Sequence, residues 1–105
     1  MPGWLVVTCL KSPGDDMNNP MSQSREDYAA TCCAIQNLSL SLHASGIGTK
    51  WTTGAVNFDE RFAEAVGYDG GKEYTIGTIW FGKAASKSVV PGKRLGVDDV
   101  LRRVE

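Results

Sequence analysis

A chain of 105 residues, 42% hydrophobic and 22% charged, has the make-up of one small globular domain and is too short for two. Its net charge of -1 gives the molecule as a whole no bias toward nucleic acid or a membrane surface. The charge is uneven, however: residues 83–105 carry six basic side chains against three acidic ones, so the tail is locally basic.

Cysteine usage narrows the classes further. Cys9, Cys32 and Cys33 form no Cys-x-x-Cys pair, and one histidine does not complete a zinc site. Reduced, mostly buried thiols are expected. No basic segment followed by an apolar run opens the sequence, so the expected location is cytoplasmic.

In chain order, Trp4 to Leu10 is apolar and β-branched and predicts a strand buried on both faces. Ser12 to Ser22, with Pro13, Gly14, Asp15 and Asp16, reads as a loop. A long helix follows. Ser24 is the expected N-cap, Asp27 completes a capping box, and Glu26 and Asp27 put negative charge where the helix dipole favours it. Gly46 supplies the stop. That gives about 20 residues, or roughly 30 Å of helix. With His43 neutral, nothing from Tyr28 to Ala44 is charged, which predicts a helix covered by protein on several sides, a partner chain among them. Thr31, Gln36, Asn37, Ser39 and Ser41 interrupt its apolar run, which excludes a membrane span.

Gly46 to Gly54, Gly-Ile-Gly-Thr-Lys-Trp-Thr-Thr-Gly, is the densest cluster of glycines and hydroxyls in the chain. Beyond it, Phe58 to Val66 predicts a short helix capped by Asn57 or Asp59 and stopped by Gly67. Tyr68 to Lys72 is a turn. Tyr74 to Gly82 predicts a second strand in which Gly77 marks a bulge or a close backbone approach. A loop over 84–90, a basic turn at Pro91-Gly-Lys-Arg94 and a terminal helix over 97–104 complete the reading.

Several motifs fail on spacing. Gly67-Tyr-Asp-Gly-Gly-Lys72-Glu73 has a short gap and no hydroxyl for magnesium, so it is not a phosphate loop. Gly46-Ile-Gly48 follows a helix, and Trp51 stands where the third glycine of a dinucleotide fingerprint belongs. His43 has no nucleophile partner near it in sequence.

Taken together, four pieces resemble the C-terminal half of the FMN-dependent nitroreductase family. They are the strand at Pro2-Gly-Trp-Leu-Val-Val, the helix carrying Asp27-Tyr-Ala-Ala and Ile35-Gln-Asn-Leu-Ser-Leu40, its exit Gly46-Ile-Gly-Thr-Lys-Trp-Thr-Thr-Gly54, and the Gly-containing strand followed by Pro91-Gly-Lys-Arg94. The resemblance implies an α+β fold, a long helix packed on a small sheet, and a homodimer formed through the 24–45 helix with FMN at the interface. It implies two-electron transfer from NADH or NADPH through the flavin to a small acceptor. It places Trp51, Thr52, Thr53 and Gly54 against the flavin ring, and Lys93 and Arg94 near the phosphate. The chemistry agrees with those roles: a flavin needs a flat face and hydrogen-bond donors along its edge, and a phosphate needs Lys or Arg. Taken singly, Gly46 reads as a helix cap and Trp51 as core.

Family members are roughly twice as long and carry an Arg-rich N-terminal motif that has no counterpart here, and position 52 is Thr where the subgroup often has Arg. The expectation is therefore a single domain over 1–105 equivalent to half of the family's, either a fragment, a truncated product or one piece of a split protein. The competing expectations are a dimerising remnant without chemistry and a small ligand-binding protein without flavin.

Overall fold

The computed structural model describes residues 3–12, 14–16, 18–85 and 91–104. Pro2, Pro13 and most of the expected 84–90 loop (residues 86–90) lie outside the described residues. The elements run β1 (Gly3–Leu10), α1 (Gln23–Ala44), β2 (Gly48–Thr52), a 3-10 turn over Ala55–Phe58, α2 (Glu60–Val66), β3 (Glu73–Gly82) and α3 (Val97–Val100). It is an α+β architecture with α1 lying across one face of the sheet.

The three strands form one antiparallel sheet in the order β1-β3-β2. The expected two strands are thus three: Gly48–Thr52, inside the glycine-rich Gly46–Gly54 stretch, pairs with β3 from Gly48↔Gly82 to Thr52↔Thr78. Five residues with two glycines at their approach carry too little alternation to announce a strand. The expected irregularity at Gly77 is present. Val7 faces Gly77 and Thr8 faces Thr75, so Ile76 is the extra residue of a bulge.

Ile79 is fully buried, and Ile35 from α1, Ile76 from β3 and Cys9 from β1 complete the core, with Val7, Cys32 and Tyr74 packed against it. Burying an isoleucine side chain contributes roughly 1.5–3 kcal/mol, so three such positions and one cysteine make a small core. The first strand departs from expectation. It is an edge strand with Trp4 and Leu5 half exposed: α1 covers only the Val7–Cys9 end of the Leu5 face, and Trp4 lies on the opposite face beside Trp80.

Helix α1 begins two residues earlier than the capping box predicts. Ser22, not Ser24, is the N-cap, and its hydroxyl accepts the Arg25 N–H at 3.1 Å. Ser24 is held differently, its N–H donating to Asp15 Oδ2 at 2.6 Å. The C-terminal end follows the sequence: Gly46 is left-handed at φ 78°, and Gly46 and Ile47 N–H groups close on His43 and Leu42. Within this chain α1 is covered on one side only, through Cys32, Ile35, Leu38 and Leu42, while Ala30, Cys33, Ala34, Asn37, Leu40 and Ala44 are exposed. The thiols divide accordingly: Cys9 is buried, Cys32 half-buried and Cys33 exposed.

The expected helix over 58–66 is a 3-10 turn followed by α2, with Asp59 as N-cap and Gly67 as left-handed stop at φ 98°. The terminal helix is a single turn, because Leu101 leaves the helical region at ψ 127°. No helix among the described residues is long and apolar enough to cross a membrane.

Candidate functional site

Strand alternation decides what the Trp51–Gly54 stretch presents. Trp51 and Thr52 are neighbours in β2 and so lie on opposite faces of the sheet. Trp51 is on the α1 face. Its indole lies over Gly77, and its Nε1 donates to the Ile76 carbonyl at 3.4 Å. Its geometry is that of a sheet-packing residue.

Thr52 is on the other face, where it joins a short polar chain. Trp80 Nε1 donates to Thr52 Oγ1 at 3.2 Å, and the same hydroxyl donates to the Thr78 carbonyl at 3.2 Å. Thr78 Oγ1 in turn donates to Asn57 Oδ1 at 2.7 Å, a bond buried between β3 and the 3-10 turn. Beside this chain is a cleft of about 230 Å³ lined by Trp4, Thr52, Val56, Phe62 and Trp80, with Gly54 at its edge. Trp4 and Trp80 are register partners whose rings stand 6.2 Å apart.

Thr53 and Gly54 follow the last strand pair and are exposed. Their N–H groups have no hydrogen-bond partner among the described residues. Gly54 has φ -60°, which any residue adopts, and a β-carbon there would meet nothing within 4 Å. Neither backbone conformation nor packing inside this chain requires a glycine at that place. The site therefore offers two free donors on open backbone, the kind of edge a flat heterocycle with acceptor atoms needs.

Lys93 and Arg94 are not brought to this edge by any bond among the described residues. Both are exposed, Arg94 Nη1 donates to the Lys93 carbonyl at 3.2 Å, and every hydrogen bond of residues 91–104 is internal to that segment. No group of acidic, cysteine and histidine residues able to hold a metal occurs among the described residues.

The sequence reading missed Thr78, Trp80 and Trp4, and took Asn57 only as a helix cap. Thr78 and Trp80 stand two apart in a strand, a spacing that puts them on one face. The signal was there, but it could not be used without β2 to show which face mattered.

No family model matches the chain, and no curated protein does. Among solved structures, the chain is similar to the crystal structure of a nitroreductase-like family protein from Bacillus cereus, with a TM-score of 0.81 and 27% sequence identity. The match covers 97% of this chain and 50% of that one, so the chain spans half the length of the protein it resembles. The architecture is thus that of one half of a nitroreductase-like protein.

Proposed function

We propose that the chain is the flavin-edge half of an FMN-dependent NAD(P)H oxidoreductase, cytoplasmic and working as a homodimer through α1. The observation that carries this reading is the pair of free N–H groups at Thr53 and Gly54 on open backbone, in a chain similar to a nitroreductase-like protein over 97% of its length. Bound FMN would supply two-electron transfer between the nicotinamide and a small acceptor. This chain's part is to offer donors to the flavin edge from Thr53 and Gly54, with the Thr52 face beside them.

The uncharged outer face of α1, with Ala30, Cys33, Ala34 and Leu40 exposed, supports helix-to-helix dimerisation. Lys93 and Arg94 are the basic residues assigned to the phosphate, reached when the tail docks in the dimer.

The test is the visible spectrum of the purified chain after addition of FMN and removal of the excess by gel filtration. A retained flavin band is expected, weakened by Arg94→Ala combined with Gly54→Pro, which removes one of the two N–H groups at a φ of -60° that proline also adopts. A folded oligomer that retains no flavin would overturn the cofactor reading and favour a dimerising remnant.

A further inference from the structure

Thr53 and Gly54 join β2 to the 3-10 turn, and both of the elements they join are tied to one residue. On one side, Thr52 is the last register partner of Thr78, and its hydroxyl donates to the Thr78 carbonyl at 3.2 Å. On the other side, the Thr78 hydroxyl donates to Asn57 Oδ1 at 2.7 Å. The Asn57 N–H then reaches back to the Gly54 carbonyl at 3.0 Å. Thr78 and Asn57 are 6% and 5% exposed, whereas 53–56 are exposed throughout. An exposed surface segment is thus pinned at both ends to the middle of the central strand. A buried hydroxyl–amide bond holds geometry more firmly than an exposed one, since breaking it leaves both groups unsatisfied away from water.

We propose that Thr78 and Asn57 are positioning residues that hold the Thr53 and Gly54 N–H groups in a fixed direction toward the flavin edge. The inference rests on the cofactor reading for what is bound there, but the clamp itself concerns only this chain. Without it, the two donors would sit on a loop free to turn, and each ligand contact would carry the entropy of ordering that loop. Both act through the backbone of Gly54.

The variants are Thr78→Val, which keeps the shape and β-branching and removes the hydroxyl, and Thr78→Ser, which restores it. Backbone order parameters of Thr53 and Gly54 and hydrogen exchange of the Asn57 amide are measured in the full chain, with the Ile79 amide as the control for the sheet. Thr78→Val is expected to lower the order parameter of Gly54 below about 0.6 and to speed Asn57 exchange about tenfold, with Ile79 unchanged. Thr78→Ser should return both to wild-type values. FMN retention, followed by flavin fluorescence in the same variants, should fall about tenfold in Thr78→Val and recover in Thr78→Ser. Unchanged order at Gly54 in Thr78→Val, or loss of order that Thr78→Ser does not repair, overturns the clamp. A wild-type chain that holds no FMN overturns the cofactor reading, and the order parameters then decide the clamp by themselves.

Discussion

The Trp51 indole occupies the place a side chain at Gly77 would take: a β-carbon there would overlap the ring and lie 2.9 Å from the Thr52 carbonyl oxygen. The bulge at Ile76 and the missing side chain at Gly77 together let the edge strand lay its tryptophan over the central one. Gly77→Ala should therefore destabilise the fold by about 1–3 kcal/mol, the usual cost of overpacking. Urea denaturation of Gly77→Ala, Trp51→Ala and the double variant checks it. The alanine at 77 should cost markedly less once Trp51 is gone, and strictly additive losses would show that the two positions do not compete for space.

Ser22 is 2% exposed and caps α1 through its hydroxyl, so Ser22→Ala should cost about 1 kcal/mol. Ser24, the residue the capping-box pattern selects, bonds to Asp15 through its main-chain N–H, which any residue but proline supplies. Equal urea midpoints for Ser22→Ala and wild type would move the helix start back to Ser24.

The N-terminal end of α1 should also weaken in acid. The Ser24 N–H above all, then the Ser24 and Ser22 hydroxyls, hold the Asp15 carboxyl below its ordinary pKa. A carboxylate favoured by folding contributes fully above its unfolded value, and the contribution is lost as pH falls through the folded one, from about pH 4 downward. The stability gap between wild type and Asp15→Asn should thus narrow between pH 7 and pH 3. A gap of constant size would place the effect of the substitution outside the ionisation of Asp15.

Tyr74 points its hydroxyl into the core with no hydrogen-bond partner among the described residues. Burial, and the Cys9 thiol beside it, push its pKa well above the ordinary tyrosine value. Removing an unpaired buried hydroxyl relieves its desolvation, so Tyr74→Phe should be neutral or stabilising by up to about 1 kcal/mol. A loss of more than that on denaturation would reveal a partner for the hydroxyl, with the thiol as first suspect; Cys9→Ala would then cost less in the Tyr74→Phe background than in the wild type.

Much of this fold is written in local signals. The left-handed glycines at 46 and 67 end their helices because a residue without a β-carbon enters that region freely, and both ends are legible from position alone. The irregularity at Gly77 is legible for the same reason. What escaped was set by tertiary pairing. Gly48–Thr52 becomes a strand because β3 offers it a free edge, and the division of Trp51 from Thr52 follows only from that pairing. The charge-free length of α1 suggested cover on several sides, yet within one chain the sheet reaches only the Ile35 side. For the site, the glycine and the threonines were visible as letters. Thr78 was not, because its role depends on two backbone segments converging on it from different parts of the chain.

The placement of the tryptophans equips the molecule with its own optical reporters. Trp4 and Trp80, 6.2 Å apart on the cleft side, are close enough to couple in near-ultraviolet circular dichroism, while Trp51 sits alone on the helix side. An event beneath α1 should change the emission of one indole and spare the coupled pair. An event at the Thr52 side should do the reverse. A change in the cleft and a change between α1 and the sheet, which would be hard to separate by size or heat in so small a chain, thus carry different optical signatures.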